Sequence, residues 1–264
     1  MEYAYKIIDT HAHYDDEQFD EDRNKLLQDL RKDGVIGIVN CSSSYESIAK
    51  TIDIVNTYDY IYGALGIHPE NADEFSEEVF QEIRTEIINN KKIIAVGEIG
   101  LDYYWEENPS REIQQNVLKR HMELAKELFL PVIIHDRDAH DDTLSIIKEF
   151  PDVVGVIHCF SGSVEFAREC IKRGYYIGIG GVSTCKNSKK LKRVIEDIPV
   201  DRILVETDCP YMAPEPFRGK RNQSSYIKYV IDKIAEIKNI DVNELNKIIN
   251  NNSKNIFKGL NIEI

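Results

Sequence analysis

Short apolar runs recur along the chain, separated by longer polar segments whose apolar positions repeat every three or four residues. The runs predict strands at Lys6 to Asp9, Gly34 to Asn40, Tyr60 to Gly66, Lys92 to Glu98, Pro131 to His135, Val153 to His158, Tyr175 to Gly180 and Ile203 to Glu206. Between them, Ile113, Val117, Leu124 and Leu128 form one face of a predicted helix, and Ile48, Ile52 and Val55 the face of another. Ser76-Glu77-Glu78 and Ser110-Arg111-Glu112 supply helix starts, each with a serine to accept from an unpaired N–H and an acid in the first turn. Because strands and helices alternate, and the strands are mostly apolar throughout rather than two-faced, the pattern predicts a parallel sheet covered by helices.

Eight such units predict a closed (β/α)8 TIM barrel, an α/β fold that typically takes about 250 residues. It would use nearly all of the 264 residues here. The competing arrangement is an open doubly wound sheet, whose first strand usually leads into a glycine-rich phosphate loop. Here it leads into Asp9-Thr10-His11-Ala12-His13. The expectation is one domain spanning 1–264. After the eighth strand, a proline-rich stretch from Cys209 to Pro216 precedes a long helix and an extra C-terminal, asparagine-rich helix on the barrel exterior.

The chemistry-bearing residues fall at the C-terminal ends of the predicted strands, which in a barrel converge on one mouth. The first strand gives His11 and His13, which share a side because a strand alternates faces. The fourth gives Glu98, the fifth His135, the sixth His158 and the eighth Asp208. Since the eighth strand neighbours the first, His11, His13 and Asp208 form one expected group and His135 and His158 another, with Glu98 placed to join them. Each alone is an ordinary polar residue, but together they predict a two-metal centre. Imidazole suits zinc and carboxylate also suits manganese or magnesium, so Zn, Mn and Mg all remain open for the two divalent ions. Such a pair predicts hydrolysis by a bridging hydroxide, with Asp208 as proton acceptor and Glu98 as bridge. His68, in Gly66-Ile67-His68-Pro69, lies at the same mouth as a candidate substrate contact. His121 and His140 fall in helices and are expected to be packing or surface residues.

The net charge of −13 excludes a broad basic footprint for nucleic acid. Two dications would nevertheless create a local cationic focus that favours phosphate. The basic loop Phe217-Arg218-Gly219-Lys220-Arg221-Asn222 follows the eighth strand, and Arg218 and Arg221 are candidate forked contacts to phosphate oxygens. Five cysteines without Cys-X-X-Cys spacing predict reduced thiols. The start Met1-Glu2-Tyr3-Ala4-Tyr5 shows neither a basic start nor an apolar leader core, and no run nears the ~18 apolar residues of a span. A soluble, cytoplasmic protein with no membrane association and no obligate protein partner is expected.

At these residues the chain resembles the TatD family of metal-dependent deoxyribonucleases, within the amidohydrolase-like barrel hydrolases. The matching stretches are Asp9-Thr10-His11-Ala12-His13, Gly66-Ile67-His68-Pro69, Gly97-Glu98-Ile99-Gly100-Leu101-Asp102, Leu130-Pro131-Val132-Ile133-Ile134-His135, Ile157-His158-Cys159-Phe160-Ser161-Gly162, Glu206-Thr207-Asp208-Cys209-Pro210-Tyr211 and Arg218-Gly219-Lys220-Arg221-Asn222. The resemblance implies a dinuclear barrel that hydrolyses phosphodiesters at DNA ends or single strands, with its ligands carried onto His11, His13, Glu98, His135, His158 and Asp208. Asp102 would either orient a metal-binding group or serve the structure alone. The chain departs from the family at Asn222-Gln223-Ser224-Ser225, where the usual pattern is Asn-Glu-Pro. Two other readings use the same barrel: a hydrolase of small esters, lactones or amides, or of aminoacyl-tRNA, and a catalytically silent binding protein.

Overall fold

The computed structural model describes residues 5–263. Strands and helices alternate as β1 (Ile7–Ala12), α1 (Arg23–Leu30), β2 (Val35–Cys41), α2 (Tyr45–Thr57), β3 (Ile61–Leu65), α3 (Glu77–Asn89), β4 (Ile93–Asp102) and α4 (Arg111–Leu128). They continue as β5 (Val132–Arg137), α5 (His140–Glu149), β6 (Gly155–Ile157), α6 (Val164–Lys172), β7 (Tyr176–Ile179), α7 (Lys189–Asp197) and β8 (Ile203–Val205), then α8 (Ile227–Lys238) and α9 (Val242–Ile256). The eight strands form one parallel sheet in sequence order. A parallel bridge between Ala12 and Cys209 joins its two edges, supported by Asp208 N–H to His11 O at 3.0 Å and His13 N–H to Cys209 O at 2.8 Å. The fold is therefore the expected TIM-like barrel with an added C-terminal helix.

Several strand ends differ from the sequence expectation, β5 among them, which runs on to Arg137. β1 and β4 run on to Ala12 and Asp102, because parallel pairing with β2 and β5 continues through polar residues that end an apolar pattern. β8 stops at Val205, ahead of Glu206, where the chain turns toward the mouth.

A large apolar layer lies between sheet and helices, and a smaller one that includes Ile8, Val39, Ile133, Val156, Tyr176 and Leu204 fills the barrel interior. The period of two along a strand then decides what reaches the mouth. Two residues beyond Ile133 stands His135, two beyond Val156 stands His158, and Leu204 leads to Glu206 and Asp208. β1 departs from this alternation, as β4 does between Val96 and Ile99. A register irregularity between Asp9 and Ala12 re-aims its side chains, turning Asp9 toward Thr207 and Ser224 while His11 and His13 face the mouth.

Ser76 and Ser110 cap α3 and α4 through Val79 N–H and Ile113 N–H, as the sequence predicts. Val117 and Leu124 are buried in α4, but Ile113, in the helix's first turn, is 41% exposed. The asparagines of α9 close the opposite end of the barrel. Asn246 and Asn250 donate to Lys6 O, and Asn252 to the carbonyls of Val200 and Ile203, satisfying backbone groups where β1 and β8 begin. Phe257 and Leu260 join the interior layer there, so the C-terminal segment caps the barrel floor as well as covering its outside. All five cysteines are unpaired, and no helix among the described residues is long and apolar enough to cross a membrane.

Candidate metal centre

The six residues expected at the mouth come together in one cluster. His11 Nε2 and His13 Nε2 lie 2.9 Å apart, and Glu98 Oε2 is 3.3 Å from the first and 3.2 Å from the second. Asp208 Oδ1 is 3.6 Å from both nitrogens. The other oxygen of the same carboxylate, Glu98 Oε1, is 2.6 Å from His158 Nε2 and 3.0 Å from His135 Nδ1. The halves are not separate: the His11 and His158 rings stack at 3.9 Å, and His11, His158 and Asp208 also form a compact donor group.

Two of the rings are held by their far edge. His13 Nδ1 donates to Cys41 O at 2.9 Å and His135 Nε2 to Asp102 Oδ2 at 3.2 Å, leaving the opposite nitrogen free to face the cluster. Asp102 is fixed in turn by Gln114, which accepts from Asp102 N–H at 2.8 Å and donates to Asp102 O at 3.0 Å. Asp208 has a φ of 57°, a left-handed conformation that Asp tolerates better than most residues, and this turn brings its carboxylate back over His11 and His13.

The electrostatics favour added positive charge. Burial opposes charge on His13 and His135, yet the neighbouring carboxylates overrule it, raising them to about 10 and about 9. Burial likewise opposes ionisation of Glu98, but the surrounding histidines hold its carboxyl well below the usual range. Burial instead keeps His68 neutral, with a pKa lowered to about 3. A set of imidazole nitrogens and carboxylate oxygens converging within hydrogen-bond distance, and drawing protons when nothing else neutralises it, has the chemistry of a cation site. The fit to divalent metal is good.

His68 reaches the same cluster, with Nε2 3.5 Å from Glu98 Oε1 and its ring 4.4 Å from that of His135. The basic loop divides. Arg218 and Lys220 line a neighbouring cavity of about 460 Å³ that shares Tyr211 with the metal cavity. Arg221 is engaged within the protein. Its Nη1 and Nη2 donate to Asp22 Oδ1 and Oδ2 at 2.8 and 2.6 Å, Nη1 also donates to Gln18 O, and the guanidinium covers the Phe19 ring. Its fork is already closed on a carboxylate that no sequence pattern paired with it. His121 is buried against Phe75, and His140 bonds Asp136, so both stand apart from the centre.

A family model described as TatD related DNase matches residues 8–258. The chain belongs to the TatD family of metal-dependent hydrolases. Among TatD relatives, a Bacillus subtilis protein named as the uncharacterized metal-dependent hydrolase YabD is 43% identical over 254 residues, covering 96% of this chain and 99% of that one. The crystal structure of the Escherichia coli TatD homologue YjjV superposes with a TM-score of 0.91 at 32% identity, covering 97% and 99% of the two chains. A TatD family hydrolase from Entamoeba histolytica gives 0.88 at 27% identity, again covering 97% and 99%. Family membership and the buried donor cluster together make this chain a metal-dependent hydrolase.

Three supporting groups escape the sequence pattern. Asp9 accepts from Thr207 Oγ1 and Ser224 Oγ, both at 2.6 Å, and from the Thr207 and His11 N–H groups, tying β1 to the segment that carries Asp208. Ser224 N–H also donates to Tyr14 Oη at 2.9 Å, a bond that the family's usual proline could not make. Glu206 is buried, which pushes its carboxyl to about 8, and lies 4.0 Å from His158 Nδ1.

Proposed function

We propose that this TatD family chain is a divalent-metal-dependent phosphodiesterase that acts on DNA as an exonuclease, at single-stranded or frayed ends. The observation that carries the reading is the division of one carboxylate: Glu98 Oε2 faces His11 and His13 while Oε1 faces His135 and His158. On this reading His11, His13 and Asp208 would hold one ion and His135 and His158 the other, with Glu98 placed between them, and zinc, manganese or magnesium would all suit the set. When bound, such a pair supplies Lewis acidity to the phosphoryl oxygens and lowers the pKa of water.

The chain's own groups divide the remaining work. Asp208 has an 18% exposed side chain against 4% for Glu98, so it is the carboxylate that meets incoming water and accepts its proton. Glu98 is buried and surrounded by five histidines, which suits a bridge that does not move. His68 contacts the substrate from the β3 side of the mouth, and Arg218 with Lys220 lies where the strand leaves it. The family description as a DNase supports DNA as the substrate.

Chelated protein given a 5′-end-labelled single-stranded oligonucleotide tests this. Shorter products are expected only after Zn²⁺, Mn²⁺ or Mg²⁺ is restored. No cleavage with any of these ions, alongside rapid hydrolysis of an uncharged ester, would assign the chain to the small-ester reading instead.

A further inference from the structure

The cavity above the donor cluster, about 250 Å³, is lined by six carboxylates: Asp15, Asp16, Glu70, Glu98, Asp102 and Asp208. Among its described lining residues only Arg137 is an arginine or lysine. Arg137 stands two residues beyond His135 on β5, so it shares that residue's face and lies roughly 6–7 Å further up the mouth. Its strand partner is Asp102. The guanidinium nonetheless forms no hydrogen bond or ion pair within the described protein. It is held instead by stacking, 3.9 Å from the Tyr104 ring centre and 5.4 Å from that of Trp105. Arg137 also borders a second cavity of about 700 Å³, whose wall includes Phe160, Val182, Leu191 and Met212. It therefore stands at the seam between a polar chamber and a larger, mostly apolar one.

We propose that Arg137 is the anion-binding residue of the substrate site and that the 700 Å³ cavity takes the organic group the anion carries, so that the joint site receives one terminal nucleoside monophosphate unit. The inference rests on the phosphodiesterase reading for its substrate class. Stacking fixes the planar fork while no protein carboxylate closes on it, although its charge is felt by Asp102, so its donors remain available to an incoming phosphate. The larger cavity has room and apolar surface for a nucleobase, with Phe160 and Tyr104 in its wall. This places the substrate cation on β5, in a position that the basic loop was expected to fill.

Calorimetric titration of the metal-loaded protein with thymidine 5′-monophosphate, inorganic phosphate and thymidine separates the two halves of the site. Arg137→Met is expected to weaken both anions about 10- to 100-fold and leave thymidine within twofold, and Arg137→Lys to fall between. Ser161→Trp, which narrows the larger cavity from an exposed position, is expected to weaken thymidine and its monophosphate alike and spare phosphate. Unchanged monophosphate affinity in both Arg137 variants would overturn the proposal, as would wild-type protein that binds the monophosphate no better than thymidine. A wild-type chain that cleaves no DNA but shows the Arg137-dependent pattern would remove the nuclease reading and leave this assignment standing.

Discussion

Asp102 Oδ2 lies 3.2 Å from Nε2 of His135, on the ring edge opposite the Nδ1 that faces Glu98. The carboxylate accepts the Nε2 proton, so the ring offers an unprotonated Nδ1 to the centre. Asp102→Asn presents an amide that can donate to Nε2 and favour the opposite tautomer. Competition against a chelating indicator is expected to show metal affinity reduced about 10- to 100-fold, with the thermal unfolding of the metal-free protein little changed. Equal affinity in the variant would show that Asp102 serves only the loop after β4.

Arg221 joins the segment after β8 to α1 through Asp22 and Gln18, and both partners of the ion pair are partly exposed. Arg221→Ala is expected to lower stability by roughly 1 kcal/mol or less in denaturant unfolding. Its KM for DNA is expected to stay within about twofold of wild type. A large rise in KM without loss of stability would return Arg221 to the substrate site.

His121 is buried in α4, where burial lowers its pKa to about 4. The unfolded chain takes up a proton near pH 6.5 while the folded one resists until about 4. Stability therefore falls as pH drops through that window and levels off below it. A shift of this size corresponds to about 3 kcal/mol at most. Denaturant melts from pH 7 to 4.5 are expected to show a shallower decline for His121→Leu than for wild type. Parallel declines would mean that other groups carry the acid sensitivity.

The barrel and its donor residues are legible in the sequence because both follow from local patterns: apolar runs at regular intervals, and polar residues at their ends. What the sequence hides is pairing across long separations. Arg221 finds Asp22 across 199 positions, and Asp9 finds Thr207 and Ser224 across 198 and 215. Asp9 is further obscured by the irregularity in β1, which breaks the simple alternation on which face assignments depend. Arg137 carries a signal that strand periodicity makes available, since it shares the face of His135, but its lack of an ion pair becomes visible only once the neighbouring carboxylates are placed.

The central claim is that Asp208 and its neighbours form a hydrolytic centre, and the most direct measurement is cleavage of 5′-end-labelled DNA by metal-loaded Asp208→Asn beside wild type. The amide keeps the shape of the side chain but removes its capacity to accept a proton. The expected result is a folded variant whose cleavage rate falls by about a hundredfold to ten-thousandfold. A folded Asp208→Asn protein that cleaves at the wild-type rate would contradict it.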